Sequence, residues 1–167
     1  MFTTIKDFSE YWKSNSDGTR RILNALTDKS LGQSVAEGHR NIGRIAWHIV
    51  TSIPEMSERT GLKLEGPKAD APLPKSAKEI KEGYDAAAKS LLEQVEKNWT
   101  DETLQIEDDM YGMMWKKGLT LRILGDHEIH HRGQMTVLMR QAGLKVSGTV
   151  GPSKEEWSKY GAPPPEI

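Results

Sequence analysis

The chain has 167 residues, of which 36% are hydrophobic and 28% charged, and this predicts a single globular domain over residues 1–167. With 23 basic and 24 acidic residues the net charge is −1, which provides no electrostatic basis for binding nucleic acid. Cysteine is absent, which excludes disulfides, thiolate metal ligands and a cysteine nucleophile. No apolar run approaches the roughly 18 residues of a membrane span, and the N-terminus does not resemble a signal peptide, so we expect a cytoplasmic protein without a membrane partner.

Four segments show the alternating steps of three and four between apolar residues that are typical of amphipathic helices. They cover residues 5–26, 41–60, 77–98 and 119–141. Pro54 lies inside the second segment and predicts a kink there, while Gly61 and Gly143 are suited to end the second and fourth helices. Together the four segments predict an all-α fold, a four-helix bundle.

The connections between these helices are long. Residues 66–74 are rich in proline and predict a non-helical crossover, and residues 100–117 form a second long loop in which 104–106 are the only candidate for a short strand. After Gly143 the chain is rich in glycine and proline, with one short helical turn expected around residues 153–159. The bundle is therefore expected to carry long crossover loops and an irregular C-terminal tail.

The strongest chemical signal lies in the fourth helix. His127 and His131 are four residues apart, so on a helix their side chains lie about 40° from each other and one turn apart. They belong to the line of residues predicted to face the core: Thr120, Leu124, His127, His131, Gln134, Leu138 and Gln141. Two imidazoles in a core are costly unless each nitrogen has a partner, and one metal ion at N–metal distances of about 2.0–2.1 Å can partner both. The sequence therefore favours metal binding over a core-packing role for the pair.

The opposite face of the same helix is predicted to be exposed, and it carries Arg122, Gly125, Arg132, Thr136 and Arg140.

A metal bound by His127 and His131 needs a third ligand, and His48 is the best candidate because it lies in the middle of the second helix, beside its apolar stripe. Two other histidines fit less well. His39 lies in the loop before the second helix and is expected to be exposed, and His130 lies about 60° from His127, where it could border the core or a subunit surface.

A second motif overlaps the first. His127-Glu128-x-x-His131 matches H-E-x-x-H, the zinc-peptidase pattern in which the glutamate is the general base. In that interpretation Glu128 acts on a metal-bound water, and Glu155 or Glu156 supplies a distant third ligand. Against it, the short chain shows no strand that could align a peptide substrate. A zinc metallopeptidase therefore remains only an alternative.

The motifs resemble those of a known family. Residues 122–134, Arg-Ile-Leu-Gly-Asp-His-Glu-Ile-His-His-Arg-Gly-Gln, are similar to the final-helix signature of the DinB-like, damage-inducible proteins. Residues 45–49, Ile-Ala-Trp-His-Ile, resemble the ligand motif in the second helix of that family, and 143–146 with 151–153 resemble its C-terminal segment. The resemblance extends over essentially the whole chain.

This resemblance implies an up-down-down-up bundle, often a homodimer, that binds one divalent metal such as nickel or zinc through His48, His127 and His131. Relatives in the superfamily include bacillithiol-, mycothiol- and glutathione-dependent transferases and isomerases, and others are regarded as hydrolases. Three neutral histidines leave the metal its full charge and an open coordination position, which suits activation of a thiol or of water. Because the chain has no cysteine, a low-molecular-weight thiol would have to be a cosubstrate.

Three classes of function remain open at this stage. The first is a metal-dependent small-molecule transferase or hydrolase, the second a non-catalytic metal-binding or stress-response protein, and the third a dimeric bundle with a vestigial site. Around the site, Gln134 could orient a ligand, Asn15 and Thr19 could line the cavity, and other side chains could wall its mouth: Met113, Met114 and Trp115. A homodimer is also expected, because the chain has more large aromatic side chains than the core of four helices requires, and some of them can then lie between subunits. These residues are Phe2, Trp12, Trp99, Trp115 and Trp157.

Overall fold

The computed structural model describes residues 1–166, and the chain in it is mostly helical, as the sequence predicts. The four long helices are α1 (Ile5–Asn24), α2 (Ile42–Glu58), α3 (Ala77–Asn98) and α4 (Lys117–Gln141). A two-stranded antiparallel hairpin, β1 (Glu107–Met110) and β2 (Met113–Lys116), precedes α4. Short 3-10 helices lie at Asp28–Gly32, Thr103–Gln105 and Lys154–Tyr160. Helices α1 and α2 each pack against both α3 and α4.

Side-chain caps explain where three of the long helices begin. Thr4, Asn41 and Ser76 have extended backbones, and their side-chain oxygens accept hydrogen bonds from backbone N–H groups in the first turns of α1, α2 and α3. Helix α2 continues through Pro54 to Glu58. The chain turns at Gly61, where φ is +87°, a conformation that glycine adopts without the steric penalty of a Cβ atom.

The hairpin corrects the prediction for the second long loop. The candidate strand at residues 104–106 lies mostly in a 3-10 helix, and the strands begin directly after it, with Glu107 opposite Lys116 and Met110 opposite Met113. The two turn residues both have positive φ, 62° at Tyr111 and 83° at Gly112. Tight hairpin turns of this kind usually carry Asn-Gly or Asp-Gly, so Tyr-Gly gave no recognisable turn signal.

Tyr111 is held in this uncommon backbone conformation by contacts with α2. Its hydroxyl donates a hydrogen bond to Glu55 Oε2 at 2.6 Å, and the guanidinium of Arg59 lies 4.4 Å from the centre of its ring. Met113 and Met114 on β2 are exposed. The hairpin is therefore fastened to the C-terminal half of α2 through its turn.

The apolar lines predicted for α1, α2 and α3 are buried, but the prediction for α4 was only half right. Its opposite face is not uniformly exposed, because Gly125 and Arg132 are both buried. They belong to a second line with steps of three and four: Leu121, Gly125, Glu128, Arg132, Met135 and Met139. In the line predicted to face the core, His131 and Leu138 are buried, but Gln134 and Gln141 are exposed. Helix α4 buries residues of both lines because it packs against α1 on one side and α2 on the other. At Gly125 a Cβ atom would lie 2.3 Å from the hydroxyl of Tyr11, so α1 approaches α4 closely there.

Two of the tryptophans counted towards a subunit interface lie inside the fold. Trp12 is fully buried, and its indole N–H donates to the backbone oxygen of Ala88 in α3 at 2.9 Å. Trp99, directly after α3, is 9% exposed. These two side chains contribute to the core and offer no surface to a second subunit. Within residues 1–166, every helix is too short or too polar to cross a membrane.

Candidate metal centre

The structure brings together the three histidines that the sequence singled out. His48 comes from the middle of α2, and His127 and His131 come from successive turns of α4. One ring nitrogen from each lies within 4.8 Å of the others. The ring centroids are 4.4 Å apart for His127 and His131, and 4.9 and 4.7 Å from His48 to each of them. Three imidazoles from two neighbouring helices therefore converge on one point.

The spacing of these nitrogens suits a metal ion. Nε2 of His127 and Nε2 of His131 are 3.1 Å apart. Two nitrogens bound to one metal at about 2.0–2.1 Å are separated by about 2.9–3.4 Å for angles between 90° and 109°. The other ring nitrogen of His127, Nδ1, is buried and has no hydrogen-bond partner among residues 1–166, so no protein group orients this ring as Gln134 orients His131. The cluster could thus hold a metal ion with little rearrangement of the α4 pair.

Gln134 fixes the orientation of His131. Its Oε1 lies 2.8 Å from Nδ1 of His131, and since an amide oxygen can only accept, Nδ1 carries the proton. In the neutral ring Nε2 then keeps its lone pair, the arrangement found in histidines that bind metals. The sequence analysis had assigned Gln134 to orienting a ligand, and its contact in the structure is with a candidate metal ligand.

Burial and mutual proximity keep the cluster neutral. Burial, followed by the neighbouring His127 and His131, lowers the pKa of His48 to about 4. Burial also lowers the pKa of His127 and of His131. Imidazoles must be unprotonated to bind a metal, so at neutral pH all three are in the form that ligation requires.

The remaining candidates lie outside the cluster. His39 is exposed in the loop before α2, as predicted. His130 is exposed as well, with its Nε2 3.2 Å from Nε2 of Gln134. Glu155 pairs with Arg140, and Glu156 accepts hydrogen bonds from backbone N–H groups near its own 3-10 helix. Among the residues that the structure describes, no fourth histidine, aspartate or glutamate joins the three.

Glu128 belongs to a different site, on the side of α4 that faces α1 and α3. It is 1% exposed, and its Oε1 accepts hydrogen bonds from Thr19 Oγ1, from the Tyr84 hydroxyl at 2.7 Å and from Asn15 Nδ2 at 3.1 Å. Arg132, one turn later, donates to the backbone oxygen of Asn15 at 2.9 Å and to Thr19 Oγ1 at 3.0 Å. Burial raises the pKa of Glu128 and lowers that of Arg132. We call these five side chains the buried polar network.

This network was not predicted, although one signal for it exists. The second line of α4 places a glutamate and an arginine four residues apart, and the apolar line of α1 is interrupted by Asn15 and Thr19. Asn15 and Thr19 bind Glu128 and Arg132, and they do not line the cavity next to the histidine cluster, where they were predicted. Because three donors from α1 and α3 surround one oxygen of Glu128, the contacts do not support a general base beside the histidine cluster, which the peptidase interpretation needs.

Comparison with known proteins identifies the family of the chain. A sequence model of the DinB family matches residues 1–166. The chain is 42% identical over 167 residues to the uncharacterized protein YrdA of Bacillus subtilis (strain 168), with 100% of both chains covered. The crystal structure of a DinB-like protein from Bacillus cereus ATCC 10987 is similar with a TM-score of 0.85 and 46% identity, over 89% of this chain and 99% of that one.

A more distant structure shares the fold alone. The DinB-like protein YjoA of Bacillus subtilis is similar with a TM-score of 0.66 and 19% identity, over 82% of this chain and 92% of that one. The match over residues 1–166 and the 42% identity over the full length both identify the family. The chain belongs to the DinB family.

Proposed function

We propose that the protein is a divalent-metal-dependent enzyme for small molecules, of the thiol transferase or hydrolase type, with His48, His127 and His131 as ligands of nickel or zinc. The observation that carries this proposal is the convergence of three neutral imidazoles within 4.8 Å without a fourth protein ligand among residues 1–166. Catalytic metal sites typically have three protein ligands and one open position, whereas structural sites are closed by four. A divalent metal bound there supplies Lewis-acid activation of a thiol or of water.

The residues of the chain contribute the orientation and the charge state of the site. Oε1 of Gln134 accepts a hydrogen bond from the Nδ1–H group of His131, which leaves the lone pair on Nε2, the nitrogen that lies 3.1 Å from Nε2 of His127. Burial keeps the three rings unprotonated. Since a neutral imidazole carries no negative charge, these ligands leave the metal its full charge. Since the chain has no cysteine, a thiol substrate enters from solution as a cosubstrate.

Three alternatives receive less support. A non-catalytic metal-binding or stress-response protein would be favoured by a fourth protein ligand, and a vestigial site by a His48 that points away from α4; the geometry offers neither. The zinc metallopeptidase alternative needs Glu128 at the metal, but this carboxylate binds Asn15, Thr19 and Tyr84.

We further propose the up-down-down-up course of the four helices. Contacts between α1 and α4 support a parallel pair, because Tyr11 meets Gly125 and Asn15 meets Glu128. Contacts between α1 and α3 support an antiparallel pair: Lys13 with Glu96, and Arg20 with Asp85.

A homodimer is also part of the proposal. With Trp12 and Trp99 in the core, exposed apolar side chains of the hairpin and the residue before it are the candidates for its contact area: Ile106, Tyr111, Met113 and Met114. Sedimentation of the full chain at micromolar concentration tests this, and a monomeric mass would exclude the dimer.

Thermal melting with and without added nickel or zinc tests the metal site. A ligand that binds only the folded state at 100 times its Kd stabilises it by about 2.7 kcal/mol, so the melting temperature of the wild type is expected to rise by several degrees. His131→Ala is expected to abolish this rise, and His39→Ala, which removes an exposed histidine, is expected to retain it. Equal metal-induced shifts in both variants would place the metal elsewhere.

A further inference from the structure

A cavity of about 320 Å³ opens between the loop before α2 and the C-terminal half of α4. Its apolar wall is formed by Val35, Ile45, Val137 and Leu138. Val35 is 61% exposed and Val137 56%, so part of this wall lies open to solvent. Small-molecule sites typically have volumes of about 300–1,000 Å³ and mostly apolar walls, and this cavity lies at the small end of that range.

The cavity adjoins the histidine cluster. Gln134 lines the cavity and at the same time contacts Nδ1 of His131 at 2.8 Å. Ile45, on the opposite wall, lies one helical turn before His48. None of the three clustered histidines lines the cavity, so a molecule that fills it lies against Gln134, which separates it from His131.

The charge at this cavity is positive and uncompensated. Arg40 lines it, and among residues 1–166 Arg40 has neither an ion-pair partner nor a side-chain hydrogen bond. Several other arginines do have carboxylate partners: Arg20 with Asp85, Arg59 with Glu55, Arg122 with Asp126 and Arg140 with Glu155.

We propose that this cavity is the substrate site and that it selects small monocarboxylates with an apolar body. The carboxylate pairs with Arg40, the apolar body lies against Val137 and Leu138, and the remaining end reaches past Gln134 to the histidine cluster. A guanidinium pairs well with a carboxylate through two parallel hydrogen bonds, and the single free arginine in the lining matches a single negative charge. This inference rests on the proposed function, because it assigns a substrate class to the same metal site.

The test uses hexanoate as the probe and measures its binding to the full-length protein, without metal and loaded with zinc, by calorimetry and by the NMR shifts of the Val137 and Leu138 methyl groups. Acetate lacks the apolar body and hexanamide lacks the charge, so both are expected to bind at least tenfold more weakly than hexanoate. Arg40→Gln and Val137→Asn are each expected to weaken hexanoate binding about tenfold.

Matched variants separate the cavity from general effects of charge and polarity. Arg122→Gln removes the same charge from the part of α4 near Tyr11, and Val150→Asn changes a valine that is 85% exposed outside the cavity. Both are expected to bind hexanoate like the wild type. If Arg40→Gln binds hexanoate as the wild type does, or if acetate binds as well as hexanoate, the proposal is overturned, because the carboxylate is then recognised without this cavity.

The same proteins distinguish failure of this inference from failure of the proposed function. If hexanoate binds the metal-free protein with the expected variant pattern while zinc and nickel leave the melting temperature unchanged, the cavity is supported and the metal site fails. If metal raises the melting temperature but hexanoate binding is insensitive to Arg40→Gln and Val137→Asn, the metal site is supported and the substrate class is wrong.

Discussion

Helix α4 carries polar residues on two buried faces, and the two sets differ in what satisfies their hydrogen-bonding groups. Towards α1 and α3, Glu128 and Arg132 are surrounded by protein donors and acceptors from Asn15, Thr19 and Tyr84. Towards α2, His131 contacts His127 and Gln134 of its own helix, and Nδ1 of His127 has no hydrogen-bond partner among residues 1–166.

The difference separates a structural role from a ligand-binding role. Each set contains one buried atom without a hydrogen-bond partner among residues 1–166, Oε2 of Glu128 and Nδ1 of His127. What differs is where the other partners come from: Glu128 and Arg132 bind side chains of other helices, whereas the hydrogen bonds of the histidine cluster lie within α4. Hydrogen bonds between helices fix how the helices pack. The buried polar network therefore joins α4 to α1 and α3, and the histidine cluster is the side of α4 that is available to a metal. Variants in the buried polar network should therefore change the free energy of unfolding, and variants beside the histidine cluster should change metal affinity.

The largest effect is expected from Glu128→Ala. It removes the common acceptor of three buried donors and leaves the Arg132 charge without its neighbouring carboxylate, so we expect a loss of about 3–5 kcal/mol in the free energy of unfolding, measured by urea denaturation. Glu93→Ala removes an exposed carboxylate paired with Lys89 and is expected to cost less than about 0.5 kcal/mol. A loss below about 1 kcal/mol for Glu128→Ala would contradict a structural role for the network.

Gln134→Leu tests the other face. Without the amide, Nδ1 of His131 is no longer held, and we expect metal affinity to fall about 10- to 100-fold, measured by competition with a chromogenic chelator. The stability of the metal-free protein should change little, because Gln134 is exposed. Gln141→Leu at the exposed end of α4 serves as the control and should bind metal like the wild type. Unchanged affinity in Gln134→Leu would mean that this contact does not orient a ligand.

Tyr84→Phe sharpens the comparison with a smaller change. It deletes one of the three donors to Glu128 while keeping the ring, so a loss of about 1.5 kcal/mol in unfolding free energy is expected. Metal affinity should stay at the wild-type value, since Tyr84 contacts the opposite side of α4. Tyr160→Phe, at a tyrosine that is 70% exposed, should leave both quantities unchanged. A fall in metal affinity for Tyr84→Phe would show that the two faces are coupled.

A further effect, measured as a slope against pH, is expected in the metal-free protein. The pKa of His48 is about 4 in the folded state and about 6.5 when unfolded, so between these values the unfolded chain binds a proton that the folded protein does not. Stability should therefore fall as the pH is lowered from 6.5 towards 4, and this contribution should stop changing below that range. The contribution is fully present above pH 6.5.

Urea denaturation between pH 4 and 7.5 measures this slope. The slope reports how many more protons the unfolded chain binds than the folded protein, and His48→Ala should lower that number by up to one. Thr51→Ala, on the same helix but without a titratable group, should change the stability and leave the slope unchanged. Because the folded histidines resist protonation, stabilisation by zinc should persist below pH 6.5 instead of fading at the pKa of a free histidine. Equal slopes for the wild type and His48→Ala would show that the pKa of His48 is not lowered in the folded protein.

Local rules in the sequence determined most of the helical structure and the members of the cluster. Periodic apolar residues and capping residues such as Asn41 and Ser76 act within a few positions of each other, so they predict helices without knowledge of the partner elements. The i, i+4 spacing of His127 and His131 likewise follows from one helix alone. His48 was only the best candidate on spacing, and the family motif around it supplied its assignment.

Tertiary structure decided what each polar side chain meets. Arg132 and Gly125 were placed on an exposed face because a single helix does not reveal that it will pack against neighbours on two sides. The hairpin at residues 107–116 depends on pairing two four-residue strands and on contacts of Tyr111 with α2, neither of which leaves a periodic pattern. The partners of Glu128 are more than 40 residues away in the chain, and only the packing of α1 against both α3 and α4 brings these buried donors within hydrogen-bonding distance.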